Sequence, residues 1–234
     1  MAQRMPEPSR PPRCLPCGDQ ALLVELGDVI SPELNAQVRR LQLALQRAAP
    51  AGVIDLHPGY ASLLIRFDSL RLRRQTLIEQ VDKALSQLSE VELPPSRRIE
   101  IPVVYGGAAG PDLDDVARRS GLSAVAAAAL HSQAAYHVYF LGFAPGFAYL
   151  GGLPAALHTP RLGTPRPLVP AGSVGIAGPQ TGIYPLATPG GWRLIGRTEL
   201  AIFDATRTPT SLLLPGDEVR FVPLPAHRLR GSWQ

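Results

Sequence analysis

The chain has 234 residues, 45% of them hydrophobic and 18% charged, with a formal net charge of +4. That length holds one large or two small domains with real cores, and the longest purely apolar run, Ala124 to Leu130, is far too short to cross a bilayer. Of the 23 basic residues only Lys83 is not arginine, and the arginines are scattered rather than gathered into a basic stripe interleaved with aromatics, which argues against nucleic-acid binding.

The opening MAQRMPEPSRPPR has no apolar signal-peptide core. A cytoplasmic protein with a disordered tail over residues 1–12 and no membrane partner is therefore expected. Cys14-Leu15-Pro16-Cys17 forms a CxxC pair, but no second pair or nearby histidine completes a zinc site. A Gly-Asp turn follows where a redox motif would open a helix, so the pair reads as incidental. Ala21 to Leu26 is a strand. Ser31 then offers an N-cap, Pro32 suits the first helical position, and Leu34, Val38, Leu41, Leu45 and Ala48 share one helical face. Strands over Val53 to Leu56 and Tyr60 to Phe67 follow, joined at His57-Pro58-Gly59, and a second amphipathic helix begins at Asp68 or Ser69. The order strand, helix, strand, strand, helix predicts a small α/β sandwich over residues 13–92.

Glu90 to Arg98 has the composition of a linker, and residues 93–234 form the second domain. Ile99 to Tyr105 is a strand. The loop Gly106 to Gly110 lacks the spacing and the lysine of a phosphate cradle and reads as a turn. Two short helices capped by Asp112 and Ser123 come next, the second ending near His131. From Tyr136 to Val222 the pattern is short strands between Gly/Pro turns, as in a β-barrel or sandwich.

Tyr139 to Trp192 is the informative stretch, because 20 of its 54 residues are Gly or Pro while apolar residues stay abundant. No Asp or Glu occurs from Val116 to Thr198, where the only formal charges are six arginines. Such a region favours a neutral or anionic ligand. Arg161 and Arg166 lie in TPRLGTPRP with no acid close in sequence, and a guanidinium fork matches a carboxylate; the alternative is a pairing with an acid from elsewhere, such as Glu199 or Asp204. Gln180, Thr181, Tyr184, Gly190, Gly191 and Trp192 add amide, hydroxyl, backbone N–H and an aromatic wall. Ser173 in AGSVG is read as a structural turn serine, since no helix follows it. His131 is the best candidate for acid–base work, with a capping or core role as its alternative. The chain has no P-loop, and the central stretch has no carboxylate to hold Mg²⁺.

The motifs HSxxxYxVYFLGFAPGFAYLGGLP, PRxxTPRPLVPAGSVGIAGPQTGIYP, TPGGWRLIGRT and LLLPGDEVRFVP resemble the family of B-type subunits of bacterial 5-oxoprolinase. That family is also called allophanate hydrolase subunit 1 or the Kip-type inhibitor of a sporulation histidine kinase, and it is similar to part of the urea carboxylase carboxyltransferase domain. The resemblance implies an α+β chain with an N-terminal α/β sandwich and a C-terminal cyclophilin-like β-barrel. It implies partner subunits of the C and A types, a small anionic amide as substrate with Tyr136 added to its candidate pocket residues, and ATP with Mg²⁺ used by the assembled complex rather than by this chain alone. The reaction implied is the opening of 5-oxo-L-proline to L-glutamate, with a histidine-kinase inhibitor or a urea/allophanate pathway component as alternatives.

Overall fold

The structure, a computed structural model, describes residues 10–225. Two compact units divide the chain between Pro95 and Ser96.

The first unit runs β1 (Arg13–Pro16), β2 (Ala21–Glu25), α1 (Pro32–Ala48), β3 (Val53–Pro58), β4 (Ser62–Phe67) and α2 (Arg74–Ser86). Its strands form an antiparallel sheet in the order β1-β2-β4-β3. Alternation decides which face is buried: Leu22 and Val24 of β2 and Leu63, Ile65 and Phe67 of β4 meet Leu34, Val38, Leu41, Leu45, Leu77 and Val81 of the two helices in a single core. At the start of α1 the Ser31 hydroxyl accepts from the Leu34 N–H at 3.1 Å, with Pro32 in the first turn, as the sequence predicts. Two features differ from expectation. The CxxC segment is itself an edge strand, with Cys14 paired to Val24 and both thiols free; burial raises the Cys14 pKa, which keeps the thiol protonated and inert. The second helix starts at Arg74 and not at Asp68, because the Asp68 carboxylate accepts from the Leu70 N–H and holds a local turn first.

The second unit contains β5 (Arg98–Tyr105), α3 (Leu113–Arg119), α4 (Ala124–Gln133), β6 (Tyr136–Leu141), β7 (Ala148–Gly151), β8 (Arg166–Val169), β9 (Ser173–Ala177), β10 (Gln180–Ile183), β11 (Thr188–Gly190), β12 (Arg193–Arg197) and β13 (Glu218–Pro223). Seven strands close a barrel in the order β10-β7-β6-β13-β5-β12-β9, sealed by the β9–β10 hairpin. Only the β5–β13 pairing is parallel among them. Ile101, Val103, Val138, Leu150, Val174, Ile176, Ile195 and Phe221 fill its interior. The strands β8 and β11 make a separate two-stranded ribbon. The architecture is thus the α+β arrangement expected, with the barrel closed.

In the loop Gly106 to Gly110 a side chain at Gly110 would run into the Ile195 carbonyl of β12, while Gly106 and Gly107 take positive φ, so the loop is a tight turn as the sequence predicts. Ser123 caps α4 through the Ala126 N–H. Asp112 stands at the start of α3 without capping it: one carboxylate oxygen accepts from the Leu194 N–H and the other from Arg166 Nη2, both at 2.7 Å. Among the described residues no helix is long and apolar enough to cross a membrane.

Replacing Ser31 by alanine removes the only side-chain cap of the 17-residue α1. Urea denaturation of the first unit should register a loss of about 1 kcal/mol.

Candidate functional site

The residues singled out from sequence fall into two groups with different surroundings. His131, Tyr136 and Thr181 are all buried, at 0%, 1% and 0% exposure. His131 closes the last turn of α4, and its ring packs 4.6 Å from Phe221 and 5.1 Å from Tyr136. The hydrogen bonds fix its tautomer. Thr181 Oγ1 donates to the Gly175 carbonyl at 2.9 Å, so it must accept from His131 Nε2–H at 3.0 Å. Nδ1 is then the acceptor for the Tyr105 hydroxyl at 2.8 Å. Tyr136 donates to the His131 carbonyl at 2.7 Å, satisfying one of the carbonyls that a helix end leaves open. Burial pushes the imidazole pKa down to about 3 and raises those of both tyrosines, so all three side chains are neutral at physiological pH. Acid–base catalysis by His131 does not fit this position, since both ring nitrogens are engaged and the side chain is fully buried. The same enclosure takes Tyr136 and Thr181 out of a ligand pocket. They form a polar bolt through the barrel core.

The second group surrounds a cavity that opens to solvent at Arg161 and Phe143, with Tyr184 and Trp192 buried in its wall. Arg161, Tyr184, Gly190, Gly191 and Trp192 line one cavity of about 100 Å³ together with Phe143, Phe147 and Tyr149. The aromatic rings meet edge to face: Phe147 lies 5.4 Å from Phe143, 5.4 Å from Tyr184 and 5.3 Å from Trp192. Glycine makes room for this cluster. A Cβ on Gly182 would stand 3.1 Å from the rings of both Phe147 and Trp192, and one on Gly190 would collide with the Tyr184 hydroxyl. Phe143 sits at the rim with φ 67°, a left-handed backbone that a bulky residue rarely takes, and its ring is 60% exposed. Phe143, Phe147 and Tyr149 were not singled out from sequence, although GFAPGFAY carries them at regular short spacing.

The two arginines diverge. Arg161 is exposed at the cavity, and among the described residues no carboxylate lies within ion-pair distance of it. Arg166 is half-buried and bound to Asp112, not to Glu199 or Asp204, and its buried Nη1 has no hydrogen-bond partner among the described residues. Both guanidinium charges act on Tyr184, whose hydroxyl pKa is nevertheless raised, chiefly by burial, so it remains a donor. Gln180, on the β9–β10 hairpin, does not line the cavity. Ser173 donates to the Pro170 carbonyl at 2.7 Å and is buried, as a structural serine should be. Among the described residues no group of three or more His, Cys, Asp or Glu could hold a metal ion.

The neighbouring glycines separate packing from conformational effects. Gly190→Ala should cost about 1–3 kcal/mol by forcing the Tyr184 ring aside. Gly191→Ala meets nothing nearer than Pro165 at 3.7 Å and should change the melting midpoint little. His131 gives a pH signature. Its folded pKa lies below the unfolded value of 6.5, so the unfolded chain binds the extra proton, and barrel stability should fall as pH drops from about 6.5 towards 3. In thermal melts across that range His131→Gln should show a shallower dependence than the parent.

The family model described as "Carboxyltransferase domain, subdomain C and D" matches residues 12–213. A curated relative from Escherichia coli O157:H7, named as the B-type subunit of 5-oxoprolinase, is 49% identical over 90% of this chain and 95% of its own length. The crystal structure of TTHA0988 superimposes with a TM-score of 0.77 at 42% identity, covering 88% of this chain but only 40% of that one. The Kluyveromyces lactis urea carboxylase structure shares the fold, with a TM-score of 0.74 at 22% identity over 93% of this chain and 22% of that one. Coverage of both units by the family model, together with close identity along nearly the whole length of the bacterial relative, places this chain in the family of 5-oxoprolinase B-type subunits, built from carboxyltransferase subdomains C and D.

Proposed function

We propose that this chain is the B-type subunit of an ATP-dependent 5-oxoprolinase, and that its barrel cavity holds 5-oxo-L-proline. The observation that carries this reading is one guanidinium, Arg161, unpaired among the described residues, at the mouth of an aromatic-walled cavity of about 100 Å³. The substrate is a small ring bearing one carboxylate and one lactam. The ring packs against Phe147, Tyr149 and Trp192, the carboxylate takes the Arg161 fork, and the protonated Tyr184 hydroxyl is placed to donate to a carbonyl oxygen.

Opening the lactam adds one water across the amide: oxygen bonds to the carbonyl carbon, the C–N bond breaks, and the ring nitrogen leaves as an amine carrying the proton. The cavity supplies orientation and charge complementarity for that step, and no general base. Its lining has no carboxylate, lysine or histidine, and His131 is sealed in the core. ATP with Mg²⁺ does not fit here either. The cavity is well below the roughly 300–1,000 Å³ of drug-sized sites, and its lining offers Mg²⁺ no carboxylate. We assign the nucleotide and the base to the A- and C-type partners of the assembled complex.

Purified chain mixed with those partners, 5-oxoproline and ATP should yield glutamate, and omission of this chain should abolish the product. In the same assay Arg161→Met should weaken substrate binding by about 1.5–3 kcal/mol, seen as a raised KM with an unchanged melting temperature. Full turnover without this chain would overturn the reading.

A further inference from the structure

The segment that presents Arg161 has few means of holding itself in place. Arg161, Gly163, Thr164 and Pro165 are all exposed, so packing fixes little of it. Its order comes from bonds made by the residues on either side of Arg161. The Pro160 carbonyl accepts from Arg193 Nε at 3.0 Å, and the Leu162 N–H donates to the Gly191 carbonyl at 2.8 Å. Both anchors flank Trp192, whose ring is a wall of the cavity. The three residues Gly191, Trp192 and Arg193 therefore set the wall and the fork together. Arg193 is only 7% exposed and cannot stay there alone, because a buried guanidinium needs a counter-charge. Asp115 on α3 supplies it, through Arg193 Nη1. Hydrogen bonding to Arg119, with further help from Arg193 and Arg118, lowers the Asp115 pKa and keeps the carboxylate ionised.

We propose that Asp115 and Arg193 are positioning residues, a two-step relay from α3 through the Pro160 carbonyl that aims the Arg161 fork at the cavity and so sets selectivity for a carboxylate-bearing ring. The inference rests on the assignment of Arg161 as the anion-binding group. Neither residue lines the cavity. Arg193 acts as a fork: Nε holds the loop while Nη1 holds the helix. Lysine carries its donors on one nitrogen at the end of a flexible stem and cannot reproduce this planar, two-point geometry.

The test uses the full chain titrated by calorimetry with 5-oxo-L-proline and with 2-pyrrolidinone, the same ring without its carboxylate. The ratio of the two affinities isolates the contribution of the fork. For the parent the acid should bind at least about tenfold more tightly. In Asp115→Asn and in Arg193→Lys that preference should collapse by about tenfold, as for other residues that support a binding group from behind, while pyrrolidinone affinity is retained. Exchange of the Leu162 amide should quicken in both variants with the barrel amides unchanged. A purely structural role would lower the melting temperature and weaken both ligands alike, or neither. A parent that binds both ligands equally overturns the anion-binding assignment and the relay with it. A parent that discriminates, while both variants keep its ratio, overturns the relay alone.

Discussion

The second unit is organised by a shortage of negative charge. Between Val116 and Thr198 the chain has six arginines and no acid, so each arginine that enters the structure must find a carboxylate outside that span. The N-cap and first turn of α3, immediately before it, are the source. Asp112 takes Arg166, and Asp115 takes Arg118, Arg119 and Arg193. Two of these pairs are partly or largely desolvated, where an unmatched charge would cost several kcal/mol. They tie α3 to the β8–β11 ribbon, and they reinforce the bond from the Asp112 N–H to the Leu194 carbonyl that already joins its start to β12. Arg161 is the cation at the cavity that this arrangement leaves without a carboxylate among the described residues, and it is exposed where the aromatic wall opens.

The barrel interior answers a different polar problem. His131, Tyr105, Tyr136 and Thr181 place several donors and acceptors inside an otherwise aliphatic core. They are tolerable there because the set closes on itself: each ring nitrogen and each hydroxyl has a partner, and the chain ends on the carbonyls of Gly175 and His131. The bolt spans α4, β5, β6, β9 and β10, so a shift of any of these would break at least one buried bond. Such a network specifies one packing of helix on barrel more sharply than interchangeable aliphatic contacts could.

Much of this was legible in the sequence, and the failures have identifiable causes. Periodicity placed α1 and the β2–β4 alternation correctly, because one face of each is buried against a single core. It missed β1, whose four residues have no alternating pattern and gain strand character only by pairing with β2. Asp68 looked like a helix start but commits its carboxylate to a turn. His131 drew attention as one of few titratable groups in an acid-free region, yet scarcity does not tell a solvated histidine from a bolted one. That distinction depends on Thr181, 50 residues away, and on Tyr105 in another strand. The partner of Arg166 was equally hidden, since 54 residues separate it from Asp112.

The same reasoning bears on the proposal that the cavity is half of a reactive centre. An environment that keeps an exposed arginine free for a carboxylate ligand must also be free of protein carboxylates, because any acid within about 4 Å would occupy the fork first. Removing those acids removes the groups that could serve as general base or hold Mg²⁺. Selective capture of an anion and the chemistry of opening an amide therefore place opposite demands on one lining. On the proposed reading, dividing them between polypeptides resolves the conflict: this barrel would bind and align, and a partner subunit would bring the acids.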